Sequence, residues 1–266
     1  MRVRQPAVAG VFYPGEATEL GSLVEGYLAE AESRAGDAAT EEAPKALIVP
    51  HAGYVYSGPI AASAYARLQP ARTRVRRVVL LGPSHHVPLR GLAASSADAF
   101  LTPLGEVPID REAVEQSLSL PPVRLAEGPH LREHSLEVQL PFLQCVLEAF
   151  SLVPFAVGDA TTEEVDALLE LLWGDDETLI LVSSDLSHYY DYETARRLDA
   201  ATTSAIESLD PAGLDMESAC GRVPVRGLLR AAARHELRAS TIDLRNSGDT
   251  AGSRDRVVGY GAYAFA

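Results

Sequence analysis

Four groups of residues in this chain have the types and spacing to do chemistry. The first is histidine placed after short apolar runs. Leu47-Ile48-Val49-Pro50 leads into His51, and Val78-Val79-Leu80-Leu81 leads into Gly82-Pro83-Ser84-His85-His86. Leu179-Ile180-Leu181-Val182 leads into Ser183-Ser184-Asp185-Leu186-Ser187-His188. Imidazole is the commonest protein ligand for transition metals, and its neutral form suits iron, copper and zinc. His51, His85 and His86 are therefore candidate ligands. Any one of them alone could equally cap a strand or fill a polar core position, so the recurrence is the argument. Adjacent residues tend to point in different directions, so only one of His85 and His86 is expected to face a given ion.

The second group is Asp185 and His188, three apart, which share a face if that turn is helical. A carboxylate against an imidazole fixes its tautomer and raises its basicity, as general acid–base work requires. Asp185 as an ordinary N-cap, with His188 in the first turn, fits the same spacing. The third is Cys220 in Ala219-Cys220-Gly221-Arg222. A lone cysteine is most often a small buried hydrophobe, but a helix starting after Gly221 would favour its thiolate. Cys145 falls within the apolar helical pattern of Leu140, Leu143, Val146 and Leu147, and reads as core. The fourth is His130 with Glu133-His134-Ser135-Leu136-Glu137. His130 and His134 have a helical ligand spacing, yet the pattern is not HExxH and Pro129 argues against helix at His130. His134 and Glu137 are candidates to support the pocket, with simple capping as the alternative.

Placing these groups together requires strands that end on one side. Each apolar run is too short for a helix, is closed by Gly, Pro or Ser, and reads as a buried strand. Open α/β sheets bind ligands outside the carboxyl ends of their strands. A further strand is expected over Leu152–Val157, a hairpin-like excursion over Leu92–Asp110, and closing strands over Arg238–Leu244 and Arg256–Phe265. Helices are expected over 16–35, from a Ser57 or Gly58 cap with Pro59 at the first helical position to Leu68, and over Arg111–Leu118 with Asp110 as its cap. Others should cover His134 to about Phe150, 162–173, 192–208 and a stretch ending near His235. Gly36–Pro44 reads as a polar surface loop, and Pro6–Pro14 as an ordered, packed one. Alternating strands and helices give an α/β protein: a single-domain layered sandwich, residues 1–266, with a central mixed sheet flanked by helices.

The 266 residues carry a formal charge of −14, and only one lysine, Lys45, stands among 23 basic residues. Such a balance, with no basic run, argues against nucleic acid and anionic membrane as partners. Two cysteines make no disulfide framework, and no apolar stretch approaches the roughly 20 residues of a membrane span. The N-terminus lacks the apolar core of a signal peptide, so the cytoplasm is the expected compartment. No GxxxxGK[ST], strand-linked GxGxxG or GxSxG motif is present, which removes support for nucleotide binding and for a serine hydrolase.

The motifs together resemble the Memo family (mediator of ErbB2-driven cell motility), whose bacterial and archaeal members are also called AmmeMemoRadiSam system protein B. The resemblance rests on residues 6–14 (PAVAGVFYP), 49–58 (VPHAGYVYSG), 81–86 (LGPSHH), 102–106 (TPLGE), 133–142 (EHSLEVQLPF) and 183–189 (SSDLSHY). Residues 219–222 (ACGR), 246–250 (NSGDT) and 257–262 (VVGYGA) complete it, in order along nearly the whole chain. It implies a fold like that of class III extradiol ring-cleaving dioxygenases (LigB-like). It also implies a pocket in which His51, His85 and Cys220 bind Fe(II) or copper, with Asp185 and His188 beside them. His86 then becomes a supporting residue. Cysteine in place of the usual carboxylate makes such a site softer and better matched to Cu(I). Two functions follow as expectations. One is metal-dependent redox or dioxygenase-like chemistry, with His188 and Asp185 moving protons and Phe12, Tyr54, Tyr56, His134 and Glu137 lining the pocket. The other is a module that binds a small molecule, a peptide or a protein, the implied partners being a radical-SAM protein and an AMMECR-domain protein. A metal-dependent hydrolase, with His188 and Asp185 activating water, ranks third.

Overall fold

The computed structural model describes residues 2–35 and 43–266; the expected 36–44 loop falls largely on residues 36–42, outside the described residues. The strands are β1 (Val3–Arg4), β2 (Ala46–Val49), β3 (Arg77–Pro83), β4 (Leu92–Ala94), β5 (Ala99–Thr102) and β6 (Gly105–Pro108). They continue with β7 (Val123–Leu125), β8 (Ser151–Val157), β9 (Thr178–Ser183), β10 (His188–Tyr190), β11 (Ala239–Asn246) and β12 (Val257–Phe265). The helices are α1 (Ala17–Ala35), α2 (Tyr54–Tyr65), α3 (Arg111–Ser117), α4 (Gly128–Leu131), α5 (Leu140–Val146), α6 (Thr162–Leu172), α7 (Tyr192–Glu207) and α8 (Arg222–Arg234).

Nine strands form one mixed sheet in the order β10-β12-β2-β9-β3-β8-β4-β7, with β11 also paired to β12. The central four, β2, β9, β3 and β8, are parallel. Their apolar runs are buried throughout, as expected of parallel strands covered on both faces. Register aligns Val49 with Ser183 and Leu81 with Val182, so β2, β9 and β3 finish level and release His51, Asp185 and His85 at one edge. Helix α2 packs on β2, β11 and β12, beneath α1 and α5, while α8 packs on β3 and β9 and against α6. A second, three-stranded sheet joins β1 to the β5–β6 hairpin, whose turn is the expected Thr102-Pro103-Leu104-Gly105.

Two helix boundaries differ from the sequence reading. Helix α2 begins at Tyr54 after Gly53, and Pro59 lies inside it, where it leaves the Val55 carbonyl without its helical donor. Gly58 is not a cap: a Cβ there would lie 2.6 Å from the Tyr27 ring, so the glycine lets α1 and α2 approach. The helix expected from His134 to Phe150 is instead a 3-10 turn, Glu137–Gln139, followed by α5. His134 precedes both, because the Glu133 carboxylate draws the Ser135 amide (2.9 Å) into a local turn.

Glu137 explains how the non-helical segments are held. It is fully buried and forms an ion pair with Arg4, itself 4% exposed. Its oxygens also accept from the amides of Ala7 (2.7 Å) and Val8 (3.0 Å) and from the Tyr13 hydroxyl (2.6 Å). Arg4 in turn donates to the carbonyls of His130 (3.0 Å) and Glu133 (2.7 Å). One ion pair thus fastens the expected packed loop at residues 6–14 to the segment carrying His134. Glu137 is a fastener of that loop and, contrary to expectation, does not line the pocket.

Breaking a buried pair by removing one partner costs more than forming it gained, because the other charge stays buried. Arg4→Met is therefore expected to lower the unfolding free energy by about 3–5 kcal/mol. Urea denaturation reads this as a lower midpoint, and a midpoint unchanged from wild type would show that Glu137 does not depend on Arg4.

Candidate metal centre

The residues released at the sheet edge surround a cavity of about 960 Å³. His51 enters two residues beyond β2 and His85 two residues beyond β3, while Asp185 follows β9. The turn after α4 adds His134, and the turn before α8 adds Cys220. Phe12, Tyr56 and Tyr260 supply aromatic walls, and Arg222 and Arg256 lie at the same cavity.

The three histidines His51, His85 and His134 each offer a ligand nitrogen within 4.8 Å of the others. The His85 and His134 rings stack at 4.7 Å between centroids, and His51 meets both edge-on at 5.2 and 5.4 Å. Two of the rings are anchored through Nδ1. His85 Nδ1 lies 2.8 Å from Glu133 Oε1, and the His85 amide donates to Glu133 Oε2 at 2.6 Å. His51 Nδ1 lies 2.9 Å from Ser183 Oγ, while its amide donates to Asp185 Oδ1 at 2.7 Å. The other nitrogen of His51, Nε2, is hydrogen-bonded to Cys220 Sγ at 3.2 Å.

Burial dominates the electrostatics. It drives the His51 imidazole down to about 3, helped by the neighbouring His85, and His134 down to about 4, helped by His51. Both are neutral at ordinary pH, with lone pairs available for an ion. Burial alone would raise the Glu133 carboxyl, but hydrogen bonds from His85 and Ser135 outweigh it and bring the group to about 2. Burial, then the charge of Asp185, pushes the Cys220 thiol up to about 12. The helix-start reading of Cys220 as a thiolate is thereby corrected, since desolvation outweighs the dipole of α8. Burial likewise raises Asp185, against the His51 amide that stabilises its charge.

The structure brings together most, not all, of the residues read from the sequence. His51, His85, Cys220, Asp185, His188, Phe12, Tyr56 and His134 all line the cavity. Tyr54 does not, because its hydroxyl donates to the Val138 carbonyl at 2.6 Å and its ring packs on Phe142 within the core. The expected Asp185–His188 contact is absent too: residues 184–187 are not helical, and the carboxylate is taken by the His51 amide. His86 is exposed outside the cavity, its ring 6.0 Å from that of His134. His130 is buried away from the cluster, with Nε2 2.9 Å from the Ala93 carbonyl. The parts played by Glu133, Ser183 and Gln139 have no counterpart in the sequence reading, which assigned them no role. A carboxylate directly before His134 was the available signal for the first. Tyr189 at the cavity mouth has a left-handed backbone, φ 65°, beside the irregularity in the pairing of β10 with β12.

Comparison with known proteins gives a consistent picture. A family model described as "Memo-like protein" matches residues 4–264. The chain is 39% identical to a "MEMO1 family protein" of Aquifex aeolicus, covering 98% of each sequence. It is 36% identical to a "MEMO1 family protein" of Archaeoglobus fulgidus over 99% of each. "Protein MEMO1" of Danio rerio is 34% identical over 93% of this chain and 89% of its own. Among solved structures, an uncharacterized protein from Escherichia coli K12 superposes with a TM-score of 0.53 at 14% identity, covering 81% of this chain and 98% of that one. The last shows a shared fold.

The neutral histidines make stability depend on acidity. In the unfolded chain His51, His130 and His134 bind protons below about pH 6.5, whereas in the fold burial holds them at about 3, 4 and 4. The unfolded state then binds more protons, so stability falls as pH drops from about 6.5 toward 4, and the histidines add no further change above that window. Glu133, held at about 2, adds a second loss once the pH passes below the ordinary glutamate range. Urea midpoints measured between about pH 8 and pH 4 check this; a level profile would contradict the neutral cluster.

Proposed function

The chain belongs to the Memo family, and from that premise we propose that it binds one iron or copper ion in the histidine pocket and carries out redox chemistry there on a small molecule. The observation that carries this reading is the convergence of three imidazole donors within 4.8 Å of one another, beside a cysteine sulfur 3.2 Å from His51 Nε2. The donors suit such an ion. His51 and His134 are held uncharged, and the anchored Nδ1 atoms of His51 and His85 leave Nε2 of each for a ligand bond. Imidazoles suit iron and copper, and the thiol of Cys220 adds softness that favours Cu(I). His51, His85 and Cys220 would hold the ion, with His134 as a further nitrogen donor within reach. When bound, the ion supplies one-electron chemistry and Lewis acidity.

The chain's own residues do the rest. Phe12 and Tyr56 give the cavity apolar walls that orient a ligand and limit water. The Asp185 carboxyl, raised by burial, can hold a proton inside the cavity, and half-buried His188 can pass one toward solvent. The Asp185 carboxylate accepts from the His51 amide and not from His188, so each handles its proton separately.

A second reading rests on the rim. Met216 and Tyr189, which line the cavity mouth, are 75% and 63% exposed, and Val11, next to Phe12, is 79% exposed. Exposed apolar groups around a pocket suit a docking peptide or protein, the radical-SAM and AMMECR-domain proteins being the first to test. A pull-down whose capture of such a partner is lost in Met216→Ser but kept in His51→Ala would favour it.

Metal titration separates the readings. Stripped wild-type protein is expected to take up about one Fe(II) or Cu(I) per chain under anaerobic conditions, and His85→Ala to lose that uptake. Equal uptake by both would end the metal reading. A thiolate donor must first shed its proton, so with Cys220 as ligand the affinity rises about tenfold per pH unit above neutrality. Imidazoles already neutral at that pH give no such slope, and Cys220→Ser should abolish it.

A further inference from the structure

The ring of His51 sits at the inner end of a run of buried hydrogen bonds that begins in the core. The Tyr65 hydroxyl lies 2.7 Å from Gln139 Oε1, and Gln139 Nε2 lies 3.0 Å from the Pro50 carbonyl and 2.9 Å from Ser183 Oγ. Ser183 Oγ is 2.6 Å from the Ser135 carbonyl and 2.9 Å from His51 Nδ1. Tyr65, Gln139, Ser183 and His51 are all at most 2% exposed.

We infer that this chain fixes which nitrogen of His51 carries the proton, making Ser183 and Gln139 positioning residues for the site. The inference rests on the metal reading only for its consequence, not for its geometry. Two main-chain carbonyls set the direction, because a carbonyl can only accept. The Pro50 carbonyl requires the amide nitrogen of Gln139 on its side, which leaves Oε1 to accept from Tyr65. The Ser135 carbonyl takes the single hydroxyl proton of Ser183. With its proton spent, Ser183 Oγ can only accept from its other two neighbours, and its two lone pairs match them: the Gln139 amide and His51 Nδ1. His51 must therefore be the Nδ1–H tautomer, and Nε2 keeps the lone pair that faces Cys220.

The same outcome is reached at His85 by different means. Both oxygens of Glu133 already accept from main-chain amides, those of His85 and Ser135, so the carboxylate acts as an acceptor and His85 Nδ1 donates to it. A carboxylate pulls that proton strongly and makes the opposite nitrogen a better donor, whereas a neutral hydroxyl does so weakly. The two histidines are thus preset to the same tautomer but to unequal donor strength, with His85 the stronger.

Nitrogen-15 NMR on metal-free, histidine-labelled protein at about neutral pH reads the tautomer directly, because protonated and unprotonated ring nitrogens differ widely in shift. Wild-type His51 is expected to show a protonated Nδ1 and an unprotonated Nε2. Ser183→Ala is expected to move His51 to a mixture of tautomers, and Ser183→Thr, which restores the hydroxyl, to return it to Nδ1–H. In Ser183→Ala metal affinity should fall by about 10–100-fold. A protonated Nε2 in the wild type overturns the inference, and so does an unchanged tautomer in Ser183→Ala. If Ser183→Ala fails to fold, the wild-type spectrum decides alone. The metal-free tautomer is independent of ion uptake, so Nδ1–H in a protein that binds no iron or copper would uphold this inference while ending the metal reading.

Discussion

A buried ion pair between Arg4 and Glu137 is the constraint on which the pocket depends. Neither the loop at residues 6–14 nor the segment from His130 to Gln139 has enough regular structure to hold itself in place. Both are ordered by the same two side chains: the carboxylate gathers the amides of Ala7 and Val8, and the guanidinium reaches the carbonyls of His130 and Glu133. Phe12 reaches the cavity from the first segment, and Glu133 and His134 from the second. A charge pair with nearly every valence met by hydrogen bonds is costly to bury but hard to rearrange. It gives irregular backbone the fixity that strands get from their ladders.

The parallel core was legible because each strand is an unbroken apolar run with a polar stop, a pattern set by burial on both faces. The site was legible for the same reason: His51, His85 and Asp185 lie within two or three residues of those stops, where topology leaves little choice. Motif resemblance then added Cys220, which residue chemistry alone had left open. What was not legible depended on side chains meeting across long separations. Tyr54 and Glu137 were read as pocket residues from their neighbours in sequence, but a helix face turned the first into the core and Arg4 claimed the second. The helical reading of residues 134–150 held only over Leu140–Val146, because apolar spacing says nothing of a Glu133 carboxylate that captures the Ser135 amide. Asp185 and His188 are spaced to meet on a helix, and the backbone between them is not helical.

The electrostatics follow one rule throughout the cavity. Where the groups are buried, desolvation and the nearest neighbours together set the charge each one carries. Glu133 stays charged because His85 and Ser135 supply donors that outweigh its burial, while Cys220 stays protonated because it is buried, with Asp185 close by. The imidazoles of His51 and His134 and the Cys220 thiol therefore rest uncharged beside an ionised Glu133. An incoming cation would meet lone pairs already aimed at it, and would compete with a single thiol proton.

The level endings of β2, β9 and β3 act as a ruler. Neighbouring strands are held about 4.8 Å apart by backbone hydrogen bonds, so the two strands bearing His51 and His85 stand one strand-width on either side of β9, and Ser183 sits between them. Side-chain identity has no part in setting that interval. A residue at any of these tips can be exchanged for another donor without altering the distance between tips. In such a scaffold, electronic preference becomes a property of single loop positions and spatial tolerance a property of the sheet. The two can then vary independently among proteins that share this layout.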